Sequence, residues 1–128
     1  MPTILIVDDE AHIRLHLEQT LEELENEGVE LLTAGNGKEA LETVKRERPS
    51  LVFLDIMMPR MNGFDVCRAI KNDLGLTGVT VVLLTAKGQE FDRQKGNEAG
   101  ANLYMTKPFD PDEVLAKARE LLKIPARR

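Results

Sequence analysis

The chain has one cysteine, Cys67, so no disulfide can form within it, and a lone thiol fits a reducing compartment. Its apolar runs last only a few residues, far short of the roughly 20 that a membrane helix needs. The N-terminus lacks the basic and apolar regions of a signal peptide. No low-complexity tract is present. Basic residues are scattered and the net charge is −5, so the chain carries no nucleic-acid footprint of its own. What remains is 128 residues, 42% hydrophobic and 30% charged, enough for one globular domain with a sizeable core. A soluble cytoplasmic domain, bound to neither membrane nor nucleic acid, is expected.

Five short apolar segments alternate with five helix-like ones. The strand candidates are Thr3–Val7, Val29–Ala34, Leu51–Leu54, Val79–Leu84 and Asn102–Met105. Ile13, Leu17, Leu21 and Leu24 give the first helix its stripe. The second helix starts at Asn36 and ends before Pro49, which disfavours helix in the residue preceding it. The third runs from about Gly63 to Leu74, with Val66, Cys67 and Ile70 inward. The last opens on a capping box, with Asp110 as N-cap, Pro111 at N1 and Glu113 at N3. Its apolar face is Val114, Leu115, Ala118, Leu121 and Leu122. The fourth candidate, "GQEFDRQKGNEAG", is polar nearly all round with Gly96 inside it, so a weakly held element is expected there.

Strand–helix alternation implies an α/β fold, a five-stranded parallel sheet with helices on both faces. Strands buried on both faces read as continuous apolar runs. "ILIV", "LVFL" and "VVLL" do, whereas "VELLTA" and "NLYM" carry polar residues that suit the edges. The order is then 2-1-3-4-5, the flavodoxin-like doubly wound sheet, whose ligands bind beyond the carboxyl ends of the strands at the switch point.

Asp8 and Asp9 end the first strand and Asp55 ends the third, so three carboxylates meet in that crevice. Two of them about 4 Å apart repel by on the order of 4 kcal/mol at an effective dielectric near 20. A hard divalent cation such as Mg²⁺ would offset this. The fourth strand end brings the Thr85 hydroxyl beside small Ala86, and the fifth brings the Lys107 ammonium. Each piece alone has a plainer reading, as a helix cap, a loop start or a solvated strand end. Together they describe a phosphoryl-handling pocket in which a carboxylate can be the nucleophile.

"ILIVDDE", "LVFLDIMMPRMNG", "VVLLTA" and "GANLYMTKPF", in this order and spacing, resemble the receiver domain of bacterial response regulators across essentially the whole chain. The resemblance implies a receiver domain over residues 1–124 with a short tail, 125–128. It implies that Asp55 accepts a phosphoryl group from a sensor histidine kinase or a histidine phosphotransfer protein. Mg²⁺ would be held by Asp9, Asp55 and the Met57 backbone carbonyl, with Asp8 acting through a water. Lys107 would neutralise the phosphoryl group, Thr85 would swing toward it and Tyr104 would follow inward. The surface formed by the fourth helix, fifth strand and fifth helix would change for a downstream protein target, and the Lys107–Pro108 bond would be cis. Such a chain is a phosphorylation-dependent switch that assists its own phosphorylation and dephosphorylation rather than an enzyme acting on another substrate. Met57 and Lys87 lie where the family tunes the lifetime of the phosphoryl group. Asn102 and Leu103 replace two acids that many DNA-binding relatives carry before the tyrosine, which argues against their dimer.

The alternative from the enzyme class is a Mg²⁺-dependent phosphohydrolase with an aspartyl-phosphate intermediate on Asp55. Enzymes of that type usually carry a second acid two residues on, where this chain has Met57. A nucleotide binder would need a phosphate loop where "DDEAHIR" stands. His12 and His16, four apart on the first helix, are expected at the surface, and Ile13 is either an exposed apolar anchor for the kinase or simply core, with the anchor preferred. With little chain beyond the last helix, a stand-alone regulator acting by docking is expected over a receiver cut from a longer protein.

Overall fold

The computed structural model describes residues 2–86 and 93–125. Five strands, β1 (Thr3–Val7), β2 (Glu30–Ala34), β3 (Leu51–Asp55), β4 (Thr80–Ala86) and β5 (Leu103–Lys107), form one parallel sheet in the order β2-β1-β3-β4-β5. The expected order holds, and so does its reason. β1 and β3 are buried along their whole length, whereas the edge strands β2 and β5 each bury one residue and leave the rest half-buried or exposed.

Alternation along each strand sends side chains to two cores. On one face Ile4, Ile6, Leu51, Phe53, Val82 and Leu84 pack against α1 (Ala11–Thr20), α2 (Glu22–Asn26) and α6 (Pro111–Leu122). On the other, Leu5, Val7, Val52, Leu54, Val81 and Leu83 meet α3 (Gly37–Glu47), α4 (Gly63–Arg68) and Ala99 of α5 (Arg93–Ala99). Buried Arg119 of α6 ion-pairs with Glu23 and Glu27 and donates to the Pro125 carbonyl, tying the last helix to the α2 region.

Several helix expectations change in detail. The first helix divides at Leu21, next to Thr20, whose hydroxyl bonds back to the His16 carbonyl and competes with the backbone ladder. Ile13 is half-buried against the core, because the stripe it shares with Leu17 faces the sheet; Leu15, 55% exposed, is the apolar residue turned to solvent. The third helix is α-helical only to Arg68 and continues as a π-turn over Ala69–Asp73. Its wider winding lets the consecutive residues Ile70 and Lys71 both be buried, with the Lys71 ammonium on the Thr77 and Val79 carbonyls. α3 has the expected Asn36 cap, bonded to the Glu39 N–H, and stops at Arg48 before Pro49. At α6 the Asp110 carboxylate accepts from the Asp112 N–H, the first available because Pro111 has none, rather than closing the expected box with Glu113. A full capping box does form at α4, between Asn62 and Asp65. Lys87 and the first part of the fourth helix candidate, including Phe91, lie outside the described residues, as do residues 126–128 of the tail.

That α4 cap sets the loop after β3. Gly63, its first helical residue, lies so close to the strand end that a Cβ there would sit 2.5 Å from the Asp55 carbonyl oxygen and 2.8 Å from Ile56 Cα. Both neighbours are backbone, so they cannot swing aside. Gly63→Ala is expected to lower stability by about 1–3 kcal/mol, the usual range for overpacking, in urea unfolding. An unchanged unfolding midpoint would mean that the loop relaxes freely and does not hold Asp55 in place.

Candidate acidic pocket at the strand ends

The switch point lies between β1 and β3, and the residues that end these strands are buried acids. Asp8 is fully buried and Asp55 is 2% exposed. Two carboxylates this deep in a protein need a cation or donors to offset their lost hydration. Lys107, at the end of β5, supplies it: its Nζ lies 3.0 Å from Asp8 Oδ2 and 3.1 Å from Asp55 Oδ1. To get there it crosses the end of β4, where its register partner is Ala86, a side chain too small to block the path. The Lys107–Pro108 bond is cis, as expected.

Backbone and side-chain donors complete the setting. Asp8 Oδ1 accepts from the Glu10 N–H at 2.9 Å, and the Asp8 carbonyl accepts from Arg14 Nη1 at 2.5 Å. The Met57 N–H points at Asp55 Oδ1 from 3.4 Å, while the Met57 side chain is 59% exposed. Asp9 and Glu10 are exposed, and carboxylate oxygens of Asp8, Asp9 and Glu10 all lie within 4.8 Å of one another. An all-oxygen set of this kind fits a hard divalent cation such as Mg²⁺.

Burial, reinforced by the charge of Asp8, pushes the Asp55 carboxyl from an ordinary 3.8 up to about 6, against the opposing pull of Lys107 and the Met57 N–H. For Lys107 burial opposes the charge, but the hydrogen bonds and charges of Asp8 and Asp55 outweigh it, and its pKa ends above the usual lysine value.

Of the residues singled out in the sequence, Asp8, Asp55 and Lys107 are therefore joined directly, and Asp9 stands at the mouth. Thr85 is half-buried at the end of β4, outside the Asp8–Lys107–Asp55 cluster. Tyr104 is turned toward α5, its hydroxyl 2.6 Å from Asn97 Oδ1. His12 is exposed and 3.6 Å from Glu10, while the exposed His16 stacks on Phe109 with ring centroids 5.3 Å apart. Sequence reasoning missed Arg14, Glu10 as a contributor of oxygens, and Gly63. The Asn62–Asp65 capping-box spacing was the one available signal for the last.

Residues 4–119 match the response regulator receiver domain family. The chain belongs to that family. It is 41% identical over 120 residues to the alkaline phosphatase synthesis transcriptional regulatory protein PhoP of Bacillus subtilis, covering 94% of this chain and 48% of that protein. It is 43% identical over 120 residues to the DNA-binding response regulator MtrA of Mycobacterium leprae, covering 94% of this chain and 51% of that one. The chain thus spans about half the length of the curated relatives it matches. Among solved structures, the chemotaxis protein CheY4 of Vibrio cholerae superposes with a TM-score of 0.82 at 30% identity, over 94% of this chain and 98% of that one. The fold described above is therefore that of a receiver domain of two-component response regulators.

Because folding raises the Asp55 pKa, the folded receiver binds more protons than the unfolded chain between about pH 4 and pH 6. The stability tied to protonated Asp55 is fully present below the unfolded value and lost as pH rises through the folded one. In urea unfolding without divalent metal, the native protein should lose stability relative to Asp55→Asn as pH is raised from about 4 to 7. A difference that stays flat across that window would rule out the raised pKa.

Proposed function

We propose that this receiver domain is a phosphorylation-dependent switch whose phosphoacceptor is Asp55. The observation that carries this reading is the sharing of one ammonium, that of Lys107, by two buried carboxylates at 3.0 and 3.1 Å. Above about pH 6 Asp55 is ionised and nucleophilic. One of its oxygens attacks the phosphorus of a phosphohistidine on a sensor kinase or phosphotransfer protein. An O–P bond forms as the P–N bond breaks, and the electron pair goes to the imidazole nitrogen, which takes up a proton. The product is an acyl phosphate on Asp55.

Lys107, already beside Asp55, turns one of its three N–H donors to a phosphoryl oxygen. Asp9, Asp55 and the Met57 backbone carbonyl would hold Mg²⁺, with Asp8 acting through a water. When bound, the ion supplies positive charge against the phosphoryl oxygens. The Thr85 hydroxyl is drawn toward the new group and Tyr104 follows, which alters the face built by α5, β5 and α6. The change is a population shift, biased by contacts that the phosphoryl group makes in only one arrangement. The exposed Met57 side chain offers no second acid for a dedicated phosphohydrolase, so the chain acts as a phosphoacceptor, not as an enzyme on other substrates.

We assign the receiver domain to residues 1–124 of this sequence. Among the described residues no helix is long and apolar enough to cross a membrane, and we place the chain in the cytoplasm. Its output is docking to a protein target through the α5–β5–α6 face. PhoP and MtrA are named as transcriptional and DNA-binding regulators, so the expectation that this chain makes no nucleic-acid contact gains no support from them.

Incubation with Mg²⁺ and acetyl phosphate, read by intact mass, is expected to add one phosphoryl group. Asp55→Ala should abolish the gain, and omission of Mg²⁺ should suppress it at least tenfold. A folded native protein that stays unmodified by acetyl phosphate and by phosphohistidine donors alike would defeat the proposal.

A further inference from the structure

Gly96 lies inside α5, where glycine costs roughly 0.5–1 kcal/mol relative to alanine. Its backbone gives no reason for it: positive φ occurs at Gly28, Gly75 and Gly100, but not at Gly96. Space does. A Cβ on Gly96 would lie 2.8 Å from Tyr104 Cε1 and 2.9 Å from the Tyr104 hydroxyl, inside any real contact distance. The neighbouring residue, exposed Asn97, accepts the Tyr104 hydroxyl hydrogen on Oδ1 at 2.6 Å. Two successive positions of α5 therefore serve one ring on β5.

That ring stands next to the pocket's moving part. Tyr104 pairs in register with Leu83, and Thr85 lies two residues beyond Leu83 on the same face of β4. The seated ring coexists with the arrangement in which Lys107 bridges Asp8 and Asp55.

We propose that Gly96 and Asn97 form a seat and latch for Tyr104, and that this latch sets the resting balance of the switch. The inference rests on the phosphoacceptor reading above and adds to it the residues that hold the unphosphorylated arrangement. Apparent affinity for a phosphoryl group falls with the fraction of molecules able to accept it. Loosening the latch therefore raises that affinity. One hydrogen bond of ordinary net strength corresponds to about a two- to tenfold change.

The chain has one tyrosine and no tryptophan, so tyrosine emission reports on Tyr104 alone. The experiment titrates beryllofluoride, with Mg²⁺, into the native protein, Asn97→Ala and Gly96→Ala, following that emission. In the native protein a saturable emission change is expected. Asn97→Ala, which removes the acceptor, should lower the midpoint about two- to tenfold. Gly96→Ala, which fills the seat, should lower it too, without lowering the unfolding temperature, because alanine favours the helix. A native emission change with unshifted or raised midpoints in both variants would overturn the latch and leave the phosphoacceptor reading standing. No saturable, Asp55-dependent response in the native protein would overturn both.

Discussion

The Lys107 ammonium between Asp8 and Asp55 is the interaction on which the rest of the receiver depends. Two ionised carboxylates that are almost wholly buried need a cation or donors to offset their lost hydration, and the fold is arranged to deliver a cation. The acids end β1 and β3, which are neighbours, while the lysine ends β5, two strands from β3. Its register partner at the end of β4 is the small residue Ala86, which leaves room for the lysine to reach across. The parallel sheet matters here too, since it brings the ends of all five strands to one rim. An antiparallel arrangement of the same segments would scatter these residues between two rims.

The surroundings restrict the acids as firmly as Lys107 neutralises them. Arg14 holds the Asp8 carbonyl, the Glu10 N–H holds its carboxylate, and Gly63 admits the α4 helix against the Asp55 backbone. Such supports spend donors and space on fixing groups that repel one another. Desolvation wins that contest at Asp55, whose pKa rises despite the adjacent ammonium. A site optimised for folding alone would place apolar residues here, so the strain argues for a use that needs charge.

Fold and site were legible in the sequence to different depths. The strand order was readable because burial on both faces leaves an unbroken apolar run, and "ILIV" and "LVFL" have it while "VELLTA" does not. Asp8 and Asp55 were readable because polar residues immediately after such runs must lie at the rim, and Lys107 because it ends the edge strand that the alternation of elements places at the same rim. Contacts set by three-dimensional packing were not. Nothing in the spacing of Gly96 announces a tyrosine ring over it, so its glycine read as weakness. The π-turn after Arg68 stayed hidden because it answers to where Lys71 finds carbonyls, well along the chain at Thr77 and Val79. Ile13 stayed open between anchor and core because the four-residue stripe does not say which edge of it meets the sheet, and it is half-buried against the core.

Four carboxylates, those of Asp8, Asp9, Glu10 and Asp55, stand at this rim against two cations, the Lys107 ammonium on Asp8 and Asp55 and the Arg14 guanidinium on the Asp8 carbonyl. The excess is negative, so an added cation is attracted, while an added phosphoryl group is repelled unless a cation accompanies it. On the phosphoacceptor reading, this imbalance makes the response conditional: neither ligand alone restores what Lys107 gives up when it turns from Asp8 and Asp55. Together they do, and the ammonium can then be reassigned. On the same reading, reassigning it would change what the β4 and β5 ends require of Thr85 and of Tyr104, whose hydroxyl donates to Asn97 of α5. The coupling would then be electrostatic at its source and steric at its outlet. The α5 side is well suited to receive it, since Gly96 and Ala99 are the residues it buries among those whose side chains are described, and a short, lightly packed helix has little burial to lose when a neighbouring ring moves.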